Sequence, residues 1–391
     1  MTTAQTKESP RFSKRWEGSR LKHHQLRSQL LSEIALGTFR PGDALPGEHQ
    51  LAEMMRVSRT TVRQTLGDLE REGLVRRVQG KGTFVADRPS EQLASRTASF
   101  ALIVPDVATG YYPTLVSGFD RAANVAGRPI VVCNTHNEVD RQANALMRLI
   151  DQRVAGVLLN PSTHSDTPAY QVRLVQDAGI PVVLLHRGVT EVQAPLLELP
   201  GQEIGRRAGR LIAEAGHRHV AFLASHRYAS STAFEEGFRD SLAAAGVDLP
   251  TDLVDYGKMT KFDADDFQAY EVYLENRLKE LLVGENRPTA LFVSFDTTAE
   301  MVYLIAGRMG LRVPEDLSIV CFGGAHRDGA IIRRLTAVTV DEADTARQAV
   351  QMMIEMHDGR RPLKSQENIP MPLGLSAGQT LSSCPPSKNP S

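Results

Sequence analysis

The stretch VSRTTVRQTLGDLEREGLVRRVQGKGTFV, residues 57–85, packs hydroxyls, arginines and glycines around two apolar stripes. Ser58 stands where a helix N-cap is wanted, since its hydroxyl can accept from the free amides of the next turn. Behind it Val62, Leu66 and Leu69 fall on one helical face, while Arg59 and Arg63, four apart, share another. Gly73 stops this helix, and LVRRVQGKGTFV then reads as two short strands around a Gly-Lys-Gly tip. Upstream, residues 22–36 (KHHQLRSQLLSEIAL) space Leu26, Leu30 and Ile34 as an amphipathic helix. GTFRPGDALPGE is turn chemistry, and EHQLAEMMR is a second helix. Three helices and a hairpin in this order predict a winged helix-turn-helix.

Charge says what such a module would meet. The whole chain has a net charge of −1, yet residues 1–88 hold 16 Lys and Arg against 10 Asp and Glu, leaving 29 against 36 for the rest. A basic segment on an acidic body points to a polyanion as partner. A helix fits the major groove of DNA, where arginine can bond bidentately to guanine. Hydroxyls and free amides at a helix start suit phosphate oxygens. Glycines at the hairpin tip let the backbone approach closely, with Lys81 adding a charge.

A chain of 391 residues suggests two or three domains. No apolar run approaches the ~18 residues of a membrane span, so no membrane partner is expected. The polar, basic N-terminus has no secretory core. Cys133, Cys321 and Cys384 show neither CxxC nor zinc spacing, which fits a reduced cytoplasm. Residues 1–20 are expected to be disordered, 21–86 to form the winged helix, and 87–98 (within ADRPSEQLASRTAS) to be a linker. Beyond them the rhythm changes. FALIVPDV (100–107), PIVVCNT (129–135), GVLLNPS (156–162), PVVLLHR (181–187), HVAFLAS (219–225), TALFVSFD (289–296) and SIVCFGG (318–324) are short apolar runs separated by helical segments. That alternation predicts doubly wound parallel sheets, enough for two lobes with a cleft between them. The fold class is therefore α/β overall, with an N-terminal winged helix and two parallel-sheet lobes over 99–375. A disordered tail is expected over 376–391. Ligands of such sheets sit beyond the carboxyl ends of the strands, where this chain has Asp106, Asn134, Asn160, His186, Ser225 and Asp296.

Two resemblances carry these readings further. GTFRPGDALPGEHQLAE, VSRTTVRQTLGDLEREGLV and GKGTFV resemble the DNA-binding domain of the GntR family of bacterial regulators. That likeness implies that Arg59 and Arg63 read bases, that Ser58, Thr60 and Thr61 hold phosphates, and that Gly80 and Lys81 enter the minor groove. The family often has a DNA-contacting arginine where this chain has His49. The body, through ALIVPDV, DQRVAGVLLNPS, IPVVLLHR, AEAGHRHVAFLA, EEGFRDSLAAAG and MGLRVPEDLSIVCF, resembles the effector domain of the LacI/GalR family, of periplasmic-binding-protein type I. The combination is similar to the arabinose-responsive repressors of bacteria. It implies a homodimeric transcriptional regulator, a double-stranded operator with an inverted repeat, and a small-molecule effector in the cleft. Tyr111, Tyr112, His186, Arg187, Arg227, Phe234, Ser294, Phe295 and Asp296 are the expected effector-binding residues, with His326 from a neighbouring loop. Sugar-binding members generally have an arginine at the position of Phe234 and an asparagine at that of Phe295. The expected effector is therefore flatter, more apolar or differently charged than a simple sugar.

Other chemistries find little support. Six residues rather than four separate Gly73 from Gly80, so GLVRRVQGKGT is no phosphate-binding P-loop. His217-Arg218-His219 precedes an apolar strand and does not suggest a metal site, and His23 and His24 are read as solvated. No nucleophile, base pair or metal cluster suggests an enzyme, and no cofactor is expected. The alternative is a DNA-binding regulator whose body has lost ligand sensing and serves dimerisation or protein docking.

Overall fold

The computed structural model describes residues 23, 26, 27, 29, 30, 33, 34, 38–71, 74–86, 99–108, 110–257, 264–284, 286–324, 331 and 334–384. Residues 1–20, the linker 87–98, Gly73, His24 and His326 lie outside them. The chain divides into two units, Met1–Ala98 and Ser99–Ser391.

In the first unit the described positions between 23 and 34 are helical, followed by helices α1 (Glu48–Met55) and α2 (Arg59–Arg71) and strands β1 (Val75–Val78) and β2 (Gly82–Val85). Ser58 caps α2 as its hydroxyl predicts: Oγ accepts from the Thr61 amide at 3.1 Å. Leu26, Leu30, Leu51, Val62, Leu66, Leu69 and Val85 meet in one core, all of them fully buried or within 1% of it. The hairpin turns tightly, with the Lys81 amide donating to the Val78 carbonyl at 2.9 Å. Gly80 (φ +76°) and Gly82 (φ +111°) occupy the left-handed region that glycine tolerates without strain. The turn-rich segment before α1 does more than turn. Ala44 bridges Phe84 in antiparallel fashion, and the Leu45 amide donates to the Thr83 carbonyl at 2.8 Å, so it forms a third edge of the wing.

The second unit holds two six-stranded sheets. The first contains β3 (Phe100–Val104), β4 (Ile130–Asn134), β5 (Gly156–Leu159), β6 (Val182–His186), β7 (Leu196–Glu198) and β13 (Asn368–Pro370), in the order β13-β7-β6-β5-β3-β4 and all parallel. The second contains β8 (Val220–Ala224), β9 (Val254–Tyr256), β10 (Ala290–Val293), β11 (Ser318–Gly324), β12 (Thr336–Val340) and β14 (Leu373–Ser376), in the order β14-β12-β11-β10-β8-β9. Here β14 alone runs antiparallel to its neighbour. Strands β3, β5, β8, β10, β11 and β12 are buried along their whole length, which is why all of them but the threonine-bearing β12 read as apolar runs. Helices α3 (Tyr112–Val125), α4 (Val139–Asp151), α5 (Ala169–Asp177), α6 (Gly201–Glu214), α7 (Ala229–Ala244), α8 (Ala264–Leu281), α9 (Asp296–Arg308) and α10 (Glu342–His357) connect them. The chain crosses between the lobes after β7, after β12 and after β13.

Two close contacts fix this framework. A Cβ at Gly205 of α6 would lie 2.0 Å from the Phe234 carbonyl oxygen, and one at Gly237 of α7 would lie 1.9 Å from that of Gln202. The two helices therefore touch through backbone. Helix α10 follows a second-lobe strand yet packs on the first lobe, with Ala343 Cα 3.0 Å from a Cβ built at Gly118 of α3.

The expected tail from 376 needs correcting. Thr380 is buried; its hydroxyl accepts from the Thr336 amide at 2.8 Å and donates to the Ile319 carbonyl at 2.7 Å. The Cys384 amide reaches the Ala215 carbonyl at 2.8 Å. Residues 376–384 thus finish the second lobe by satisfying groups at its strand starts, and residues 385–391 lie outside the described ones. His217 has the same structural duty: its ring meets Thr289 Oγ1 at 2.9 Å and Ser318 Oγ at 3.1 Å. Among the described residues, no group of three or more His, Cys, Asp or Glu side chains is placed to hold a metal ion.

Candidate nucleic-acid interface and interlobe site

The first unit brings the expected DNA-contacting residues to its surface. Ser58, Arg59, Thr60 and Arg63 are exposed along the start of α2, Thr61 is half-buried, and Gly80 and Lys81 are exposed at the hairpin tip. His49 is exposed on α1, and its Nδ1 accepts from Arg59 Nη2 at 2.9 Å. Its Nε2 lies 3.3 Å from Glu53 Oε1. Arg63 meets Glu48 Oε2 through Nη2 at 3.1 Å. Exposed pairs of this kind contribute little, about 0–1 kcal/mol, so a phosphate or a base edge can displace them at small cost. One reading of the first helix fails: His23 is not solvated but meets Asp68 of α2 at 2.9 Å.

In the second unit the two lobes flank a cavity lined by side chains of both. Six of the nine expected effector residues line it: Tyr111, Tyr112, His186, Arg187, Phe295 and Asp296. Ser225, also expected beyond a strand end, joins them. Tyr111 and Tyr112 open α3, His186 and Arg187 follow β6, and Phe295 and Asp296 open α9.

Three expectations fail on direction rather than on location. Phe234 is fully buried behind the wall, its ring 5.9 Å from Phe295 and 5.3 Å from Phe322, because its face of α7 turns into the sheet. Ser294 is fully buried and leaves the lining to Phe295, as neighbours on an extended backbone point opposite ways. Arg227 stands over the Tyr256 ring at 4.6 Å instead of lining the cavity. Asn134 is also turned away, accepting from the His136 amide at 3.0 Å. The structure adds lining residues that the strand-end reading missed: Asn137, Thr163, Tyr228, Ser230, Thr298 and Phe322 among them. Tyr228 and Ser230 stand at the start of α7, so a search of helix starts as well as strand ends would have found them.

The polar groups on the first lobe form one network. Asn160 Nδ2 donates to Tyr112 Oη at 3.0 Å and lies 3.3 Å from His186 Nδ1. With Nδ1 accepting, Nε2 carries the proton and donates to Tyr111 Oη. Burial pushes the Tyr111 and Tyr112 hydroxyls well above the ordinary phenol range, so both stay protonated. Burial first, then the Arg187 charge, lowers His186 to about 3. His186 also has a left-handed backbone (φ +68°), a strained state that neighbours must enforce. Across the mouth, Tyr228 Oη of the second lobe meets His164 Nε2 of the first at 2.9 Å, while the Tyr228 ring stacks on His226 at 4.4 Å.

The neutral His186 has a consequence for stability. An unfolded histidine takes up its proton near 6.5, the folded one only near 3, so the unfolded state binds more protons between those values. Its contribution is complete above pH 6.5 and is lost as the pH falls towards 3. Denaturation midpoints of the wild type and of His186→Asn, followed down this range, should converge; parallel curves would show that His186 is not held neutral.

Residues 22–85 match the family described as bacterial regulatory proteins, gntR family, and residues 210–381 match the periplasmic binding protein-like domain. The arabinose metabolism transcriptional repressor of Geobacillus stearothermophilus is 26% identical over 344 residues, 87% of this chain and 92% of that protein. The transcriptional repressor PurR of Mannheimia succiniciproducens is 26% identical over 261 residues, 66% of this chain and 74% of that protein. Among solved structures, the Lac repressor bound to ONPG is 19% identical with a TM-score of 0.62, covering 83% of this chain and 90% of that one. No described helix is long and apolar enough to cross a membrane. The fold and the two matches give a helix-turn-helix head of gntR type followed by a periplasmic-binding-protein-like body. The chain is a transcriptional regulator, with a GntR-family helix-turn-helix domain and a periplasmic-binding-protein-like effector domain.

Proposed function

We propose that this protein is a cytoplasmic, homodimeric repressor whose two heads read the half-sites of an inverted-repeat operator. A small molecule bound between the lobes would change how the heads are held. The observation that carries this reading is the interlobe cavity: side chains of both lobes line it, and the Tyr228–His164 bond joins its two walls. A ligand there can favour one lobe arrangement over another only through different affinities for the two. In the head, Arg59 and Arg63 would read bases, Ser58, Thr60 and Thr61 would hold phosphates, and Lys81 with Gly80 would enter the minor groove. His49 would hold Arg59 in place rather than contact DNA as the family's arginine does.

The test is a thermal-shift screen of metabolites against the full chain, followed by operator release. One chemical class should raise the melting temperature and lower operator affinity together. Stabilisation by no class would favour a body that serves only dimerisation or docking.

A further inference from the structure

Arg187 is the cation of the interlobe cavity, and among the described residues no carboxylate pairs with it. Its electrostatic neighbours are three phenols, those of Tyr111, Tyr112 and Tyr228, of which burial keeps the first two neutral. Arg187 is half-buried, desolvation works against its charge, and a guanidinium drawn partly out of water gains from an anionic partner. It lines the interlobe cavity and also the neighbouring groove of Asp166 and Glu191, with neither of which it forms an ion pair. The network described above sharpens the point. Tyr112 Oη accepts from Asn160, which leaves its own hydrogen free to donate. A guanidinium and a phenol hydrogen on one wall are the donors that a carboxylate takes.

The rest of the cavity specifies what carries that carboxylate. Tyr111 and Tyr112 lie tilted at 35° with ring centroids 4.6 Å apart on the first lobe, and Phe295 and Phe322 meet edge-on at 6.1 Å on the second. Both walls of the cavity thus carry aromatic side chains, whose faces and edges suit contact with an aromatic ring. The hydroxyls of Ser225 and Ser230 and the Asp296 carboxylate, all on the second lobe, can bond a ring hydroxyl.

We propose that the interlobe cavity takes a small hydroxylated aromatic carboxylate, its anionic group held by Arg187 and Tyr112 and its ring between the two aromatic walls. This rests on the reading of the cavity as the effector site. Arg187 then decides charge: it selects an acid over its neutral analogue, because the analogue leaves a half-buried guanidinium unanswered.

The experiment is calorimetry on the full chain with benzoate, 4-hydroxybenzoate and 4-hydroxyphenylacetate, with 4-hydroxybenzamide as the neutral counterpart of the second and D-glucose and L-arabinose as controls. At least one acid should bind, and for 4-hydroxybenzoate over its amide the preference should be about 10-fold or more, the worth of a hydrogen bond to a charged group. In Arg187→Gln that preference should disappear, with melting temperature and circular dichroism showing the variant folded. Arg187→Lys keeps the charge but not the fork and should retain part of the preference. If none of the three acids binds below millimolar concentration, or if acid and amide bind wild type equally, the proposal is wrong. Tight binding of either sugar, unchanged in Arg187→Gln, would also overturn it while leaving the small-molecule reading intact. A chain that no metabolite stabilises in the wider screen loses both.

Discussion

Replacing Gly205 by alanine should cost about 3 kcal/mol or more, the upper end of what overpacking a tight interior usually costs. The new Cβ would meet the Phe234 carbonyl oxygen at 2.0 Å and the Phe238 amide nitrogen at 2.6 Å. Both are backbone atoms, so no rotamer change can relieve the clash, and α6 and α7 must move apart. The start of α7 carries Tyr228 and Ser230 into the cavity, so effector affinity should fall together with stability. Gly307→Ala on α9 is the control with opposite sign. Nothing lies within 4 Å of its added Cβ, and in this last turn of α9 alanine should gain up to roughly 0.5–1 kcal/mol over glycine, the value for a helix interior. Urea midpoints of the two variants, each against wild type, measure this. A Gly205→Ala chain as stable as wild type would mean that the two helices are not in backbone contact.

Arg59→Ala should weaken the specific operator by about 1–3 kcal/mol and relax preference at one base position, as loss of a bidentate base contact does. Lys81→Ala should instead weaken binding to all sequences alike and reduce the salt slope by about one ion. Anisotropy titrations on operator and scrambled duplexes at several salt concentrations separate the two. Equal losses for Arg59→Ala on both duplexes would show that it touches only backbone. His49→Ala leaves Arg59 without its 2.9 Å partner, so it should lower specificity by less than Arg59→Ala and in the same direction.

Much of this architecture is visible in the residues because central parallel strands are buried on both faces. FALIV, GVLL and VAFLA cannot be anything other than interior, and their spacing sets the two lobes. The strands that escape notice are short pieces at or next to a sheet edge, Leu196–Glu198, Val254–Tyr256 and Asn368–Pro370, three residues each with partial burial. Thr336–Val340 escapes because TAVTV alternates, and Leu373–Ser376 because Gly and Ser dilute it. At the site, position along the chain is legible but direction is not. Arg227, Phe234 and Ser294 all stand close to the cavity in sequence terms, yet helix phase and strand alternation turn each of them away. The head is more legible, since capping chemistry and a glycine hairpin are local, and local signals survive without tertiary context. His49 shows the limit: its contact with Arg59 depends on how two helices pack, which no spacing rule gives.

On the proposed function, the N-terminal unit reads DNA by sequence for a dimeric regulator. Selection of binding sites from random duplexes by the full chain, followed by affinity on the enriched site and on its scramble, tests this most directly. A two-fold symmetric site is expected, bound at least about 10³-fold more tightly than the scramble at physiological salt, with most of that ratio lost when Arg59 and Arg63 are both alanine. No enrichment, or an enriched site bound equally well by the double variant, would contradict it.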